Sequence, residues 1–144
     1  MKYKTQDAEG GNNPFLNDVI DLLALIKEFS YALSCYRELH DNCKLESYQT
    51  NLTKYWKSCK KLAISLASDH KEPTIEVKLT PPDSIKDLKD YEEKLYNMLK
   101  EIAKNALEEN EVEVVAYLLK AIRDFEHYFC TIDEDDVSRG TSSQ

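Results

Sequence analysis

Residues 71–83, KEPTIEVKLTPPD, are the one stretch in which this chain departs from a helical pattern. They contain three of the four prolines, and residues 74–79 alternate between polar and apolar side chains, which predicts extended chain. Thirteen extended residues reach about 43 Å, whereas a 25-residue helix is about 37 Å long. This segment, called the crossover below, can therefore run the full length of a helical bundle.

Apolar residues recur at helical spacing on both sides of the crossover, in two segments before it and two after it. Each such row of apolar residues is called a stripe below. Asn13 is a good N-cap and Pro14 a good first residue for helix one, which should end near residues 41–42, and Asp83 or Ser84 should cap helix three. The last two helices should be separated by a break near Asn110. The stripes are Phe15, Val19, Leu22, Ile26, Phe29, Leu33 and Tyr36, then Leu45, Tyr48, Leu52, Tyr55, Cys59, Leu62 and Leu66, then Leu88, Tyr91, Leu95, Met98 and Ile102, and finally Val115, Leu118, Ile122, Phe125 and Phe129.

Steps of three and four residues are typical of helices that pack nearly parallel. With a crossover in the middle, they predict an all-α four-helix bundle that runs up-down-down-up, with a long extended connection between helices two and three. We expect a flexible N-terminal segment at 1–13, the bundle at 14–131 and a disordered tail, first acidic and then Ser-rich, at 132–144.

Charge and hydropathy limit the classes of partner and the cellular location that we expect for this chain. The net charge is −8 and no Lys/Arg cluster offsets it, which argues against a nucleic-acid partner. The N-terminus has no apolar signal-peptide core, and no stretch reaches the ~20 apolar residues that span a membrane. We expect a cytoplasmic chain.

The four cysteines, Cys35, Cys43, Cys59 and Cys130, contain no Cys-x-x-Cys pair, which argues against a zinc site. Cys59 lies on an apolar stripe and is expected to be a small core residue. Cys43 and Cys130 share an end of the bundle only if the up-down-down-up course holds. All four are expected to be free thiols.

Catalytic motifs are missing from the sequence. It has no nucleophile elbow, phosphate-binding Gly-rich loop or Glu-x-x-His pair, and we expect no enzyme. Glu92 and Glu93 lie on helix three and Asp124 on helix four, and a carboxylate pair from facing helices could hold a metal, although a solvated charged face explains such residues more often. Trp56 sits one position round from the helix-two stripe, so it should lie at the edge of the core.

Two stretches resemble the ferritin family. LKDYEEKLYNMLKEIAKNALEENEVEVVAYLLKAIRDFEHYF, residues 88–129, is similar to ferritin's third and fourth helices. LASDHKEPTIEVKLTPPD, residues 66–83, is similar to the end of its second helix and its long loop. The resemblance covers roughly residues 14–131. It implies the ferritin-like bundle and assembly into an iron-storage or related shell.

The ferroxidase ligands of that family have no counterpart here. Ferritins place a Glu on helix one, where this chain reads Asp-Leu-Leu-Ala-Leu-Ile at 21–26, and a Glu-x-x-His on helix two, where it reads Tyr-Trp-Lys-Ser at 55–58. Lysines at 54, 57, 60 and 61 would repel iron. Only Glu92 and Asp124 match acidic positions of the family, and its short fifth helix has no match after residue 134.

Two functions remain open. The first is a catalytically silent ferritin-like subunit of an iron-storage or related shell, with at most weakly bound iron or another divalent cation and no other cofactor. The second is a non-enzymatic helical-bundle scaffold or interaction protein within a larger assembly. Both predict a homo- or hetero-oligomer formed through helical surfaces. A secreted four-helix cytokine would need an export signal and a disulfide framework.

Overall fold

The computed structural model describes residues 13–40 and 43–128, and the side chains of 43, 44 and 128 are not part of that description. It has four helices in this part of the chain, α1 Leu16–Leu39, α2 Cys43–Leu66, α3 Ile85–Glu108 and α4 Val112–Tyr128, and no strand. The prediction of an all-helical, four-helix chain is confirmed. Apart from Asn13, the segments expected to be flexible or disordered at the two termini lie outside the described residues, and so does Cys130.

The start of α1 differs from the prediction. The Asn13 side-chain oxygen accepts a hydrogen bond from the Phe15 amide at 2.8 Å, and the helix begins only at Leu16. Asn13 and Pro14 therefore form a turn that leads into the helix, because an Asn side chain readily bonds the backbone two residues on. The backbone N–H of Asn13 also donates a hydrogen bond to the Leu66 carbonyl at 3.0 Å, which ties this turn to the end of α2.

The start of α3 and the break before α4 lie where the sequence predicts them. Ser84 is the N-cap of α3, and the Asp87 carboxylate accepts hydrogen bonds from the amides of Asp83 at 2.6 Å and Ser84 at 3.3 Å. This is the carboxylate half of a capping box. At the other end Asn110 has φ 56°, in the left-handed region that Asn tolerates better than most residues.

The core contains every member of the predicted α1 and α2 stripes. On α3 and α4 the predicted stripe is partly wrong. Leu99, Val114 and Ala121 are buried, whereas Tyr91, Met98, Val115 and Ile122 are half-buried. Phe129 lies outside the described residues. On these two helices apolar residues stand at adjacent positions, Met98 and Leu99 on α3 and Val114 and Val115 on α4, so spacing alone does not locate the centre of the buried arc.

Helix α1 is enclosed more fully than its stripe predicts. Leu23 and Leu25, which lie off the stripe, are also buried, at 0% and 7% exposure. Helix α1 packs against both α2 and α3, and Leu23 also faces the crossover beside Pro73 and Ile75. Three neighbours require apolar side chains over most of the helix circumference.

The four helices form a ring of adjacent pairs. Helix α1 contacts α2 and α3, and α4 contacts α3 and α2. Among the described residues the backbones of the diagonal pairs do not approach each other closely, and of the four adjacent pairs α2–α4 is the least closely packed. The seam between α2 and α4 is therefore the loosest in the bundle.

The crossover keeps its alternation in three dimensions. Pro73, Ile75 and Val77 are half-buried, while the residues between them are exposed. Ile75 packs against the core, and Glu72 pairs with Lys60 of α2 at 3.0 Å. The period-two pattern therefore reflects chain lying against helices, without ladder hydrogen bonds. In the part of the chain that the structure describes, no helix combines the length and apolar character that crossing a membrane requires.

Candidate functional site

Glu92, the first predicted metal ligand, is held by an aromatic neighbour. It is half-buried on α3, and its carboxylate accepts a hydrogen bond from the Tyr48 hydroxyl of α2. The Tyr48 ring meets the Phe29 ring edge-on, with centroids 5.6 Å apart. The Tyr91 ring stacks on the same Phe29 ring, also with centroids 5.6 Å apart. The interior next to this carboxylate is thus aromatic, which is poor surroundings for a hard cation that needs several oxygen ligands.

Asp124, the second predicted ligand, lies on α4 in a basic environment. Its carboxylate pairs with Lys120 one turn earlier at 3.1 Å, and it borders a groove whose walls also include Lys54 and Lys57. Over residues 13–40 and 43–128 no group of three or more His, Cys, Asp and Glu side chains is placed to hold a metal ion. Glu92 and Asp124 each have their own hydrogen-bonded partner, and their role as ligands stays a prediction.

A groove lies beside Asp124. It lies between α2 and α4, has a volume of about 680 Å³ and is open on one side. Its rim includes Lys54, Lys57 and Lys120, and its floor includes Tyr55, Tyr117 and Ala121. The loose α2–α4 seam leaves this space, so the groove follows from the packing.

Hydrogen bonds fix the floor of the groove. The Tyr55 hydroxyl donates to the Ala121 carbonyl of α4, and the Tyr117 hydroxyl donates to the Tyr55 carbonyl at 3.4 Å. Burial, together with the neighbouring Cys59, raises the pKa of Tyr117 well above its ordinary value. The Tyr117 phenol is therefore neutral near pH 7 and serves as a hydrogen-bonding group, since only a lowered pKa would make it a proton acceptor.

Cys59, directly behind this floor, is a buried thiol as predicted. Burial raises the pKa of Cys59 to about 12, although the Tyr117 hydroxyl opposes that shift. Its sulfur lies 3.8 Å from the Val19 carbonyl of α1. The thiolate is the reactive form, so this cysteine is inert near neutral pH. Cys35 is a free thiol as well, and the Cys43 and Cys130 side chains lie outside the described residues.

Sequence reasoning recognised the α2 lysines only as groups that repel iron, and it missed the groove. The structure divides them: Lys54 and Lys57 border the groove, while Lys60 pairs with Glu72 of the crossover. The i, i+3 spacing of Lys54 and Lys57 does place them on one helix face. The spacing does not reveal which helix lies opposite. Nothing in the sequence therefore indicated that Lys120 and Tyr117 of α4 border the same groove.

A second polar site lies between α1 and α3. Asp18 and Asp21 of α1 and Glu101 of α3 border a small pocket of about 230 Å³. Burial, then repulsion from Asp21 and Glu101, raises the pKa of Asp18 above its ordinary value of 3.8. This cluster costs the folded state some electrostatic free energy at neutral pH.

Comparison with protein-family models, with curated proteins and with solved structures gave no significant match. The resemblance to ferritins therefore depends on the residues quoted for it.

Proposed function

We propose that this chain is a non-enzymatic, ferritin-like four-helix-bundle subunit that assembles with copies of itself into an iron-storage or related shell. The observation that carries self-assembly is an apolar surface where α3 meets α4, called the α3/α4 patch. Its members are Leu107, Val112 and Leu119, with 64%, 77% and 57% of their surface exposed.

Two of these side chains share a helix face, and the third lies close to them in the chain. Val112 and Leu119 are seven residues apart, which places them on the same face of α4, and Leu107 lies just before the short turn that joins the two helices. Val115, one turn from each, is half-buried and packs against the core. Clustered exposed apolar residues on a protein surface mark interaction sites more often than scattered ones do.

Charged neighbours favour a second copy as the occupant of the patch. The exposed Lys104 lies one turn before Leu107 and the exposed Arg123 one turn after Leu119, while the exposed Glu108 follows Leu107 directly. Side chains of both signs on one surface can pair with their own copies across a two-fold axis, as an isologous interface requires.

The up-down-down-up course is part of the proposal, and three hydrogen bonds between helix ends support it. They join Leu66 to Asn13, Ser65 to Glu113, and Tyr48 to Glu92. The end of α2 thus lies near the beginnings of α1 and α4, and the beginning of α2 lies near that of α3. With such a course the crossover has to travel the length of the bundle, as ferritin's long loop does.

The proposal assigns no iron oxidation to this chain. Leu22 of α1 and Tyr55 of α2 stand at or near the positions that hold ferroxidase ligands in ferritins, and both are core residues here. Apolar and neutral side chains do not compensate two iron cations in a dry interior. Weak binding of a divalent cation near Glu92 or Asp124 remains part of the hypothesis.

Size-exclusion chromatography with light scattering tests the proposal. A 24-subunit shell, which the ferritin resemblance implies, supports the shell, and a smaller defined oligomer supports the second candidate, a scaffold or interaction protein within a larger assembly. That candidate is favoured by the same patch, since three side chains suit a limited interface. A monomer at about 100 μM, far above the Kd of a stable homo-oligomer, would overturn self-assembly.

A matched pair of variants locates the interface. Leu119→Glu introduces a charge into the α3/α4 patch, whereas Leu39→Glu makes the same change at a leucine that is even more exposed, at the end of α1. Dissociation by the first variant and not by the second supports the patch. An unchanged mass for both would exclude it as the contact surface.

A further inference from the structure

The groove between α2 and α4 is basic on a strongly acidic protein. The chain has a net charge of −8, yet Lys54, Lys57 and Lys120 all border this one site. Ammonium groups that border one concave surface repel one another, and a bound anion would offset that repulsion. Asp124 is the one carboxylate in the lining.

The three lysines differ in whether an acidic side chain neutralises their positive charge. Lys120 already pairs with Asp124 at 3.1 Å. Lys54 and Lys57 are exposed and form no ion pair with any residue in the described ranges. Two ammonium groups, about +2 in total, therefore remain uncompensated at the rim. A phosphate monoester carries about −1.5 to −2 at neutral pH, which matches that charge, whereas a carboxylate carries half as much.

The remaining lining fits an organic group next to the phosphate. A volume of about 680 Å³ falls within the ~300–1,000 Å³ range of small-molecule sites and is far larger than a bare phosphate needs. The Tyr117 ring and the Ala121 methyl group offer an apolar floor, and Asn51 and Ser58 add neutral hydrogen-bonding groups beside the lysines. The floor is held in place by the Tyr55–Ala121 hydrogen bond, so the site is formed without a ligand.

We propose that the α2–α4 groove binds a small phosphorylated organic ligand, with the phosphate between Lys54 and Lys57 and the organic group on Tyr117 and Ala121. Lysine binds phosphate as a point charge and does not need bidentate geometry, which suits flexible side chains at an open rim. The Tyr117 phenol is neutral near pH 7 and contributes no charge that would oppose the anion.

Phenyl phosphate is a suitable test compound because it combines both parts of the proposed ligand. In NMR titrations of the ¹⁵N-labelled full chain, we expect phenyl phosphate to shift the backbone amide resonances of residues 51–58 and 117–124. Orthophosphate should bind the same residues more weakly, since it lacks the ring, and phenol should leave them unshifted. Raised salt should weaken binding, because surface charge interactions are screened.

Two charge-matched double variants separate a specific site from general attraction. K54Q/K57Q removes the uncompensated pair, and K86Q/K89Q removes two exposed lysines from α3. We expect the first to weaken phenyl phosphate binding about tenfold or more, and the second by less than about twofold. All four lysines are exposed, so both variants should fold, which circular dichroism confirms independently.

Several outcomes would overturn the proposal. Equal weakening by both double variants would show unspecific electrostatics, and shifts outside the groove would move the site elsewhere. Binding of hexaglutamate but not of phenyl phosphate would assign the lysines to an acidic peptide. Groove amides that respond to neutralising the acidic residues 133–136, but not to phenyl phosphate, would assign the groove to the C-terminal segment of this chain.

Discussion

The Tyr55 hydroxyl of α2 donates a hydrogen bond to the Ala121 carbonyl of α4, across the loosest seam of the bundle. Tyr55 is only 7% exposed, and Ala121 is 3% exposed. This bond fixes the spacing of two helices that make few other contacts. It also determines the depth of the groove above it.

Tyr55→Phe removes this bond and keeps the ring. We expect a loss of about 1 kcal/mol in the free energy of unfolding, the usual net value of one hydrogen bond, and a fall in Tm of roughly 3–4 °C. Thermal and urea denaturation followed by circular dichroism measure both quantities. Tyr117→Phe is the matched control, since its hydrogen bond is longer, at 3.4 Å, and should cost less. A larger loss in the control would show that the Tyr55–Ala121 bond does not hold the seam.

Trp56 lies at the edge of the core, as its position one residue away from the stripe predicts. It is half-buried, packs against the core and borders a pocket with Leu23 and Pro73. Trp56→Ala should therefore cost roughly 2 kcal/mol, below the about 3–5 kcal/mol of a fully buried aromatic ring. Trp56→Phe should recover most of that loss because it keeps an aromatic ring in the same space. Urea denaturation followed by circular dichroism gives the values, and an unchanged midpoint for the alanine variant would contradict the packing.

Helical spacing predicted helices α1 and α2 more accurately than α3 and α4, and the cause is physical. The α2 stripe from Leu45 to Leu66 is buried in full, because apolar residues there recur at one angle around the axis. On α4 the apolar residues spread over adjacent angles, so both Val114 and Val115 fit a stripe. Packing against α2 and α3 together decides between them, and that pairing is not encoded in spacing. The groove depends on the same pairing, so it could not be predicted either.

The crossover offers a test of alternation without a β-sheet. Ile75 is half-buried and packs against the core, whereas the adjacent Glu76 is exposed. Ile75→Ala should cost about 1–2 kcal/mol, less than the about 2–5 kcal/mol of a fully buried isoleucine. Glu76→Ala should stay within about 0.5 kcal/mol, as most surface changes do. Chemical denaturation of both variants measures the difference. Equal effects would mean that the crossover does not pack through alternate residues.

The raised pKa of Asp18 predicts a pH-dependent effect. Burial raises it first, followed by Asp21 and Glu101, so Glu101→Gln should lower the pKa of Asp18 without restoring 3.8. A folded-state pKa above the unfolded value means that ionisation disfavours folding, and stability falls as the pH rises through that window. Glu101→Gln should thus stabilise the protein at pH 7, and its benefit should vanish below pH 3.8, where Asp18 is protonated in both states.

NMR titration of the Asp18 carboxyl carbon measures this change directly. Glu108→Gln, at the exposed end of the same helix, is the control and should leave the titration of Asp18 unchanged. If Glu101→Gln also leaves it unchanged, charge repulsion across the α1–α3 seam is absent.

The Cys59 thiol should resist alkylation for as long as the bundle is folded. Its side chain is fully buried and its pKa is about 12, so at pH 8 about one thiol in ten thousand is ionised. Iodoacetamide treatment followed by mass spectrometry should leave Cys59 unmodified in buffer and modify it in concentrated urea. Cys35 is half-buried near the C-terminal end of α1. It serves as the internal comparison and should react in buffer. Rapid modification of Cys59 in buffer, at the rate seen in urea, would show that the floor of the α2–α4 groove opens to solvent and would contradict the packing described for Tyr55 and Tyr117.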